Sequence, residues 1–230
     1  MTDRRSAAVG IDLLVVVALR AELKGIAREL GLRKRRHRYV DAAGGLLAAC
    51  VGPGRSAGPG TRKLVVEAQP TRVLHVGYCG GLDASLEAGD AVRVGKAVND
   101  ATGEALDLDA GEAVLVTTGE PALTPDAKRR LAERWNAAAV DTESFHVASA
   151  CREAGVPCSV VKAVTDTADE GLDAAVVRLV DDTGRTRGWR VARLLVTRPR
   201  LISTLRQLAA RSRNADRRLV EHVKMHGDLP

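Results

Sequence analysis

The run Leu13-Leu14-Val15-Val16-Val17 constrains this chain more than any other stretch. Successive side chains of a strand point to opposite faces, so a strand with one wet face alternates apolar and polar residues. Five apolar residues without a break read as a strand covered on both faces, which requires helices on either side of a sheet. Similar runs recur and alternate with helix-like segments. Strands are expected at 12–18, 45–51, 72–78, 90–94, 113–117, 138–140 and 158–164, and helices at 20–30, 57–68, 125–135 and 142–154. Gly31 and Gly155 are placed to end the first and fourth helices, and Thr124 before Pro125 suits an N-cap followed by proline in the first turn. The pattern is α/β, without internal repeat or long linker, and residues 1–230 read as a single domain.

Composition narrows the class. Apolar residues make up 45% of the chain and charged residues 28%, as in a globular protein, but aromatics only 2%. The core is therefore Leu, Val and Ala, and few rings are available to stack on a ligand. Cys50, Cys79, Cys151 and Cys158 show neither CxxC pairing nor metal-ligand spacing, so no metal is expected and a reducing, cytoplasmic compartment fits best. Arg4 and Arg5 ahead of the first apolar run resemble the start of a signal peptide, but Asp12 interrupts the run and no polar cleavage region follows. A buried first strand is the better reading, and no segment reaches the about 18 apolar residues that span a bilayer.

The net charge of +6 does not point to nucleic acid, because the basic residues are not interleaved with aromatics and no zinc, helix-turn-helix or RNP-like signature occurs. Much of the excess lies in a basic helical tail at 185–223, read as two helical segments parted near Arg198-Pro199-Arg200. In the second, Leu201, Leu205, Leu208, Ser212, Ala215 and Leu219 share a face. That face either docks on the domain, leaving the arginines in solvent, or rests on anionic lipid as a peripheral membrane contact.

Three acids stand where an open α/β sheet places its ligands, at the carboxyl ends of strands. Glu22 follows the first strand, Glu143 the short strand near 140, and Asp166 the strand at 158–164. Each alone is better read as a structural helix-start acid, and only their joint placement points to a site. Gly77-Tyr78-Cys79-Gly80-Gly81 reads as a glycine loop after a strand, able to bring backbone N–H groups close to a ligand. Neither GxGxxG nor GxxxxGK[ST] is present, which removes dinucleotide and P-loop readings.

Taken in order, these segments resemble the nucleoside phosphorylase and nucleosidase superfamily. Gly77-Tyr78-Cys79-Gly80-Gly81-Leu82 with Gly89-Asp90 is similar to its glycine loop and GD strand. Val140-Asp141-Thr142-Glu143-Ser144 is similar to its VDMES element, and Val164-Thr165-Asp166-Thr167-Ala168-Asp169 to its ISDxAD element. Val17-Ala18-Leu19-Arg20-Ala21-Glu22 looks like the opening of methylthioadenosine/S-adenosylhomocysteine nucleosidases. The resemblance spans residues 11–170. It implies a three-layer fold with a mixed, partly barrel-like central sheet flanked by helices, and a homo-oligomer.

It also implies roles. Asp166 would protonate or hydrogen-bond the purine N7, and Glu143 would hold the ribose hydroxyls. Glu22 would activate water, while Thr142, Thr165, Tyr78 and the backbone of Cys79, Gly80 and Gly81 would line the substrate. Two carboxyl groups then serve opposite sides of an oxocarbenium-like centre, as in glycoside hydrolysis. No cofactor is implied, and phosphate enters only as a co-substrate if the chain is a phosphorylase; Arg20 and Arg55 are the arginines near the expected site loops. A short segment between Val94 and Val114 and the arginine-rich tail resemble the hopanoid-associated phosphorylase group, thought to act on adenosylhopane, with futalosine hydrolases as competitors. A nucleoside-binding relative without turnover is the reading from another class. Thr142 stands where the family has Met, and Phe145 and His146 replace small residues. Asp141 and Asp169 read as structural acids, and Tyr78 is the local substitute for a base-stacking ring.

Overall fold

A computed structural model describes residues 10–108, 111–177, 181, 184 and 201–227. The strands are β1 (Leu13–Val17), β2 (Arg33–Arg35), β3 (Arg38–Val40), β4 (Leu46–Cys50), β5 (Arg72–Gly81), β6 (Ala91–Asn99), β7 (Ala105–Asp107), β8 (Ala113–Thr117), β9 (Ala139–Asp141) and β10 (Cys158–Asp166). The helices are α1 (Arg20–Glu29), α2 (Ala57–Ala68), α3 (Pro125–Trp135), α4 (Ser144–Glu153), a single turn α5 (Ala174–Val177) and α6 (Leu201–Gly227). One sheet runs β10-β6-β8-β9-β5-β1-β4-β3-β2, and an additional β10–β5 pairing bends its first part into a closed barrel. The mixed, partly barrel-like sheet flanked by helices agrees with the expected fold class.

The unbroken run in β1 is explained by what covers it. Leu13, Val15 and Val17 join one core cluster with Leu23 and Ile26 of α1 and Ala215, Leu219 and Val223 of α6. Leu14 and Val16 face the opposite cluster, with Leu64 and Val65 of α2 and Val147 and Cys151 of α4. A third cluster, including Cys79, Val92, Val94, Leu115, Ala139, Val160 and Val164, draws on all five barrel strands.

Element ends follow their local chemistry. Gly31 (φ +63°) and Gly155 (φ +67°) sit just past α1 and α4 in the left-handed region that glycine adopts without strain. Thr124 Oγ1 accepts the Ala127 N–H at 3.2 Å, capping α3.

Three differences from the sequence expectation matter. The Gly77–Gly81 segment is no loop. It is the carboxyl end of the ten-residue strand β5, paired with β10 on one side and β9 on the other. Glycines are poor strand formers, but at Gly77 and Gly80 an added Cβ would meet neighbouring side chains at 3.2 and 3.1 Å. The β2–β3 hairpin and β7 went unseen because each strand has only three residues and no apolar run. Strand β6 runs on to Asn99 because β7 and β8 both pair with it.

Of the two tail segments expected, the first lies outside the described residues. The second is α6, longer than expected. Ala215, Leu219, Val220 and Val223 are buried against the domain, so this part of the tail follows the docking alternative. Docking is close. A Cβ on Gly25, in the middle of α1, would lie 2.3 Å from Asp216 Oδ2, and Tyr78 Oη donates to Asp216 Oδ1 at 2.7 Å. Among the described residues no helix is long and apolar enough to cross a membrane. Truncating the fully buried Leu219 to Ala should destabilise the domain by about 2–5 kcal/mol, read from urea unfolding midpoints. A change under about 0.5 kcal/mol would mean that α6 is not part of the cooperative fold.

Candidate active site

Glu22 reaches its place through helix geometry. It occupies the first turn of α1, where a carboxylate suits the helix dipole, and its Oε2 accepts the Leu19 N–H at 2.8 Å. Its other oxygen turns to β5 and accepts the Tyr78 N–H at 3.2 Å. The residue is only 2% exposed. Burial pushes its pKa from the ordinary 4.5 up to about 7, against the opposing pull of Lys162. A carboxyl poised there is half ionised at neutral pH, as a general base requires.

The organising group is Lys162, which the sequence reading missed. Its ammonium, 1% exposed, lies 2.9 Å from Asp141 Oδ2 and 2.7 Å from His75 Nε2. His75 Nδ1 is 3.1 Å from the Val16 carbonyl oxygen. The tautomer that satisfies both contacts is neutral, with Nδ1–H donating to Val16 and Nε2 accepting from Lys162. Burial, then the Lys162 charge, depress the His75 pKa to about 3. Burial opposes the charge on Lys162, but Asp141, Glu143 and Glu22 together outweigh it and raise its pKa. A Cβ on Gly77 would lie 3.2 Å from Glu22 Oε1 and 3.3 Å from Lys162 Nζ, so glycine there lets these two groups converge beside β5.

Asp141 is structural and electrostatic at once. Besides Lys162, it accepts from Thr117 Oγ1 at 2.9 Å, Ser144 N at 3.0 Å and Ser144 Oγ at 2.6 Å, which fixes the start of α4. Glu143 is the N-cap residue of that helix. Its Oε1 accepts the Gly54 N–H at 2.8 Å and the Thr142 hydroxyl at 2.5 Å. Burial and then the Asp141 charge raise its pKa. Thr142, polar where methionine was expected, thus orients Glu143.

Asp166 lies apart from this group, at a β-bulge where β10 shifts register against β5. Thr165 Oγ1 donates to its Oδ1 at 2.8 Å, and Lys128 Nζ donates to its Oδ2 at 2.5 Å. The following turn is held from the tail. Arg211 of α6 donates to both Glu170 oxygens (2.6 and 2.7 Å) and to the Thr165 carbonyl at 3.3 Å, and Glu170 accepts the Thr167 N–H at 3.1 Å. Arg211 pulls Glu170 down to about 2. Asp169 accepts the Thr167 hydroxyl within this turn and starts no helix.

The structure therefore brings Glu22 and Glu143 together around Lys162 and places Asp166 on Lys128. Tyr78 presents its backbone to Glu22, while its hydroxyl is bonded to Asp216 of α6. Cys79 is buried in the barrel cluster, where burial pushes its thiol up. Gly80 and Gly81 lie in the ladders to β9 and β10. Phe145 packs with Ala97, Leu106 and Ala148, and the His146 ring stands edge-on to it at 6.0 Å. No group of three or more His, Cys, Asp or Glu among the described residues is placed to hold a metal ion. Lys162 and His75 each interrupt an apolar strand, and that was the signal available for them. Lys128 gave none, lying in a run of three basic residues.

Residues 96–198 match the family model described as the phosphorylase superfamily. No curated protein sequence matches the chain. Among solved structures, 5′-methylthioadenosine/S-adenosylhomocysteine nucleosidase from Helicobacter pylori, bound to butyl-thio-DADMe-Immucillin-A, has a TM-score of 0.66 at 15% identity, covering 95% of this chain and 98% of that one. The same-named nucleosidase from Campylobacter jejuni gives 0.63 at 18% identity, covering 71% and 89%. Futalosine hydrolase from Helicobacter pylori gives 0.59 at 17% identity, covering 68% and 88%. The chain shares the fold of these proteins.

The raised pKa of Glu22 has a stability consequence of fixed sign. A carboxyl whose folded pKa lies above its unfolded value favours the folded state fully below the unfolded pKa, and that contribution fades as pH rises through the folded one. Glu22→Gln should therefore gain thermal stability relative to the unsubstituted chain as pH rises from about 4.5 to about 7, with little further change above. Melting temperatures of both proteins across that range check it, and a flat difference would contradict the raised value.

Proposed function

We propose that this chain hydrolyses the N-glycosidic bond of a purine nucleoside, with Glu22 activating water, Glu143 holding the ribose and Asp166 serving the leaving base. The observation that carries the reading is the buried Glu22–Lys162–Glu143 group, with Glu22 held near neutrality. A base of that pKa suits water, whereas phosphate is already ionised and needs cations. Lys162 helps keep Glu22 partly ionised despite its burial. In this scheme the Glu143 carboxyl, buried in the same group, favours positive charge on the sugar.

Support for a purine substrate comes from the solved relatives. One holds 5′-methylthioadenosine in its active site, and another is a complex with butyl-thio-DADMe-Immucillin-A. Within that class, the short 94–114 segment favours a bulky apolar 5′ substituent of the adenosylhopane kind. We place the working protein in the cytoplasm as a homo-oligomer, on the strength of the family resemblance and the reduced cysteines. No cofactor enters this scheme.

Phosphorolysis is the second reading, and one observation favours it. Among the described residues Arg20 Nε is buried without a hydrogen-bond partner, two positions before Glu22, and an anion would satisfy it.

Incubation with adenosine, 5′-methylthioadenosine, S-adenosylhomocysteine, futalosine and adenosylhopane, with and without phosphate, should release free base without phosphate. Absence of base release from all five would end the enzyme reading, and strict phosphate dependence would favour phosphorolysis. Release from adenosylhopane but not from 5′-methylthioadenosine would support the apolar substituent.

For the active substrate, kcat/KM should rise with pH and level off above about 7, because Glu22 must be ionised to act as a base. Glu22→Gln should lower kcat by about 10²–10⁴-fold and remove that rise. An unchanged pH profile in the variant would exclude Glu22 as the base.

A further inference from the structure

Among the described residues Lys128 is, with Lys162, the largest fully buried side chain. It projects from α3 with 0% exposure, and Nζ makes three contacts: Asp166 Oδ2 at 2.5 Å, Thr167 O at 2.5 Å and Asp166 O at 3.3 Å. An ammonium has three hydrogens, so these contacts account for all of its donors. Gly80 makes the approach possible. A Cβ there would lie 3.1 Å from Asp166 Oδ2 and 3.4 Å from Lys128 Cε.

Stability alone does not explain this arrangement. Taking an ammonium and a carboxylate out of water is costly, and an apolar pair of the same volume often serves a core as well or better. The pair also sets a chemical condition. Each carboxylate oxygen of Asp166 already accepts a hydrogen bond, Oδ1 from Thr165 Oγ1 and Oδ2 from Lys128 Nζ. An ionised carboxylate is an acceptor only and has no proton of its own to give to a departing base.

We infer that Lys128 is the positioning residue of the leaving-group acid: it fixes the Asp166 carboxylate and supplies the proton that this carboxylate passes to the base. The inference rests on the nucleosidase reading above. In the step, the C1′–N9 bond breaks and its electron pair moves into the purine. Lys128 first gives one of its protons to the Asp166 carboxylate, and the carboxyl so formed passes that proton to N7 as the bond breaks, leaving Lys128 a neutral amine and Asp166 a carboxylate again. Water adds to C1′ and its proton goes to Glu22. Proton exchange with solvent then returns Glu22 to the carboxylate and Lys128 to the ammonium, so nucleoside and water become base and free sugar with no net proton consumed.

Two substrates separate this role from a structural one. A purine nucleoside needs its leaving group protonated, whereas 4-nitrophenyl β-D-ribofuranoside expels a nitrophenolate that does not. Lys128→Met should lower kcat/KM for the purine nucleoside by about 10²–10⁴-fold, the usual worth of a positioned acid, and for the nitrophenyl riboside by less than about threefold. Lys128→Arg, which keeps a cation but cannot give up a proton, should leave the purine activity close to that of Lys128→Met.

Because the Met variant strands a buried carboxylate, the double variant Lys128→Met/Asp166→Asn removes both charges and keeps the test usable should the single variant not fold. It should match Asp166→Asn alone on both substrates, since Lys128 acts only through Asp166. Equal losses on the two substrates, or a further loss in the double variant beyond Asp166→Asn, would overturn the assignment. If the unsubstituted chain cleaves neither substrate, the nucleosidase reading itself fails and the assignment falls with it. Cleavage by the unsubstituted chain with unselective loss in the variants defeats the Lys128 role alone.

Discussion

An ammonium group sealed against the inner side of a sheet costs several kcal/mol in desolvation unless charge and hydrogen bonds offset it. Lys162 meets that condition, and most of the site follows from how it does so. Its proton donors need acceptors in a region otherwise lined by Val, Leu, Ala and Cys. Asp141 on β9 and His75 on β5 supply them, which ties together strands brought side by side by barrel closure. The positive charge is not fully consumed by Asp141. What remains acts on Glu22 and Glu143, two carboxyl groups whose burial would otherwise keep them neutral. One buried cation thus both links the barrel strands through side chains and sets how much negative charge the group can hold.

The outer layers serve this arrangement from a distance. Helices α1 and α6 cover one face and α2 and α4 the other, so β1 has no wet side and its carboxyl end is held firmly where α1 begins. That rigidity aims Glu22 at the Tyr78 N–H. On the other side of β5 the Asp166 turn is fixed twice, by Lys128 from α3 and by Arg211 from α6 through Glu170. The site is held mainly by ladders and helix starts, and long loops contribute little.

Much of this was legible in the chain. The both-sided burial of β1, the capped start of α3 and the glycine ends of α1 and α4 follow from local rules, and they appear at the expected residues. The order of Glu22, Glu143 and Asp166 was legible too, but not their partition into a lysine-centred pair and a separate acid. That partition depends on Lys162 and Lys128, whose partners are distant in sequence. Lys128 looks like any solvated helix cation in Lys128-Arg129-Arg130, and only the packing of α3 on β9 and the bulge at Asp166 make it internal. The glycine segment misled for a related reason. Consecutive glycines suggest a turn, yet Gly77 and Gly80 lie within a strand, where an added Cβ would crowd Glu22 and Lys162 at one position and Asp166 and Val140 at the other.

The pairing order of the barrel has a consequence for how the chain matures. Strand β5 is complete by Gly81, but its two barrel neighbours are β9, at Ala139–Asp141, and β10, ending at Asp166. During synthesis from the N-terminus, β1, β4 and β5 can associate early, while His75 and the glycines after it wait, unpaired on that edge, for roughly the next eighty residues. Glu22 and Lys162 meet only when β10 docks, and Arg211 can grip Glu170 only after α6 has been made. A nascent chain therefore carries an exposed sheet edge, an aggregation hazard of the kind chaperones cover, until β10 has been made and has docked. Competence to bind a ligand and release from that hazard arrive in the same event.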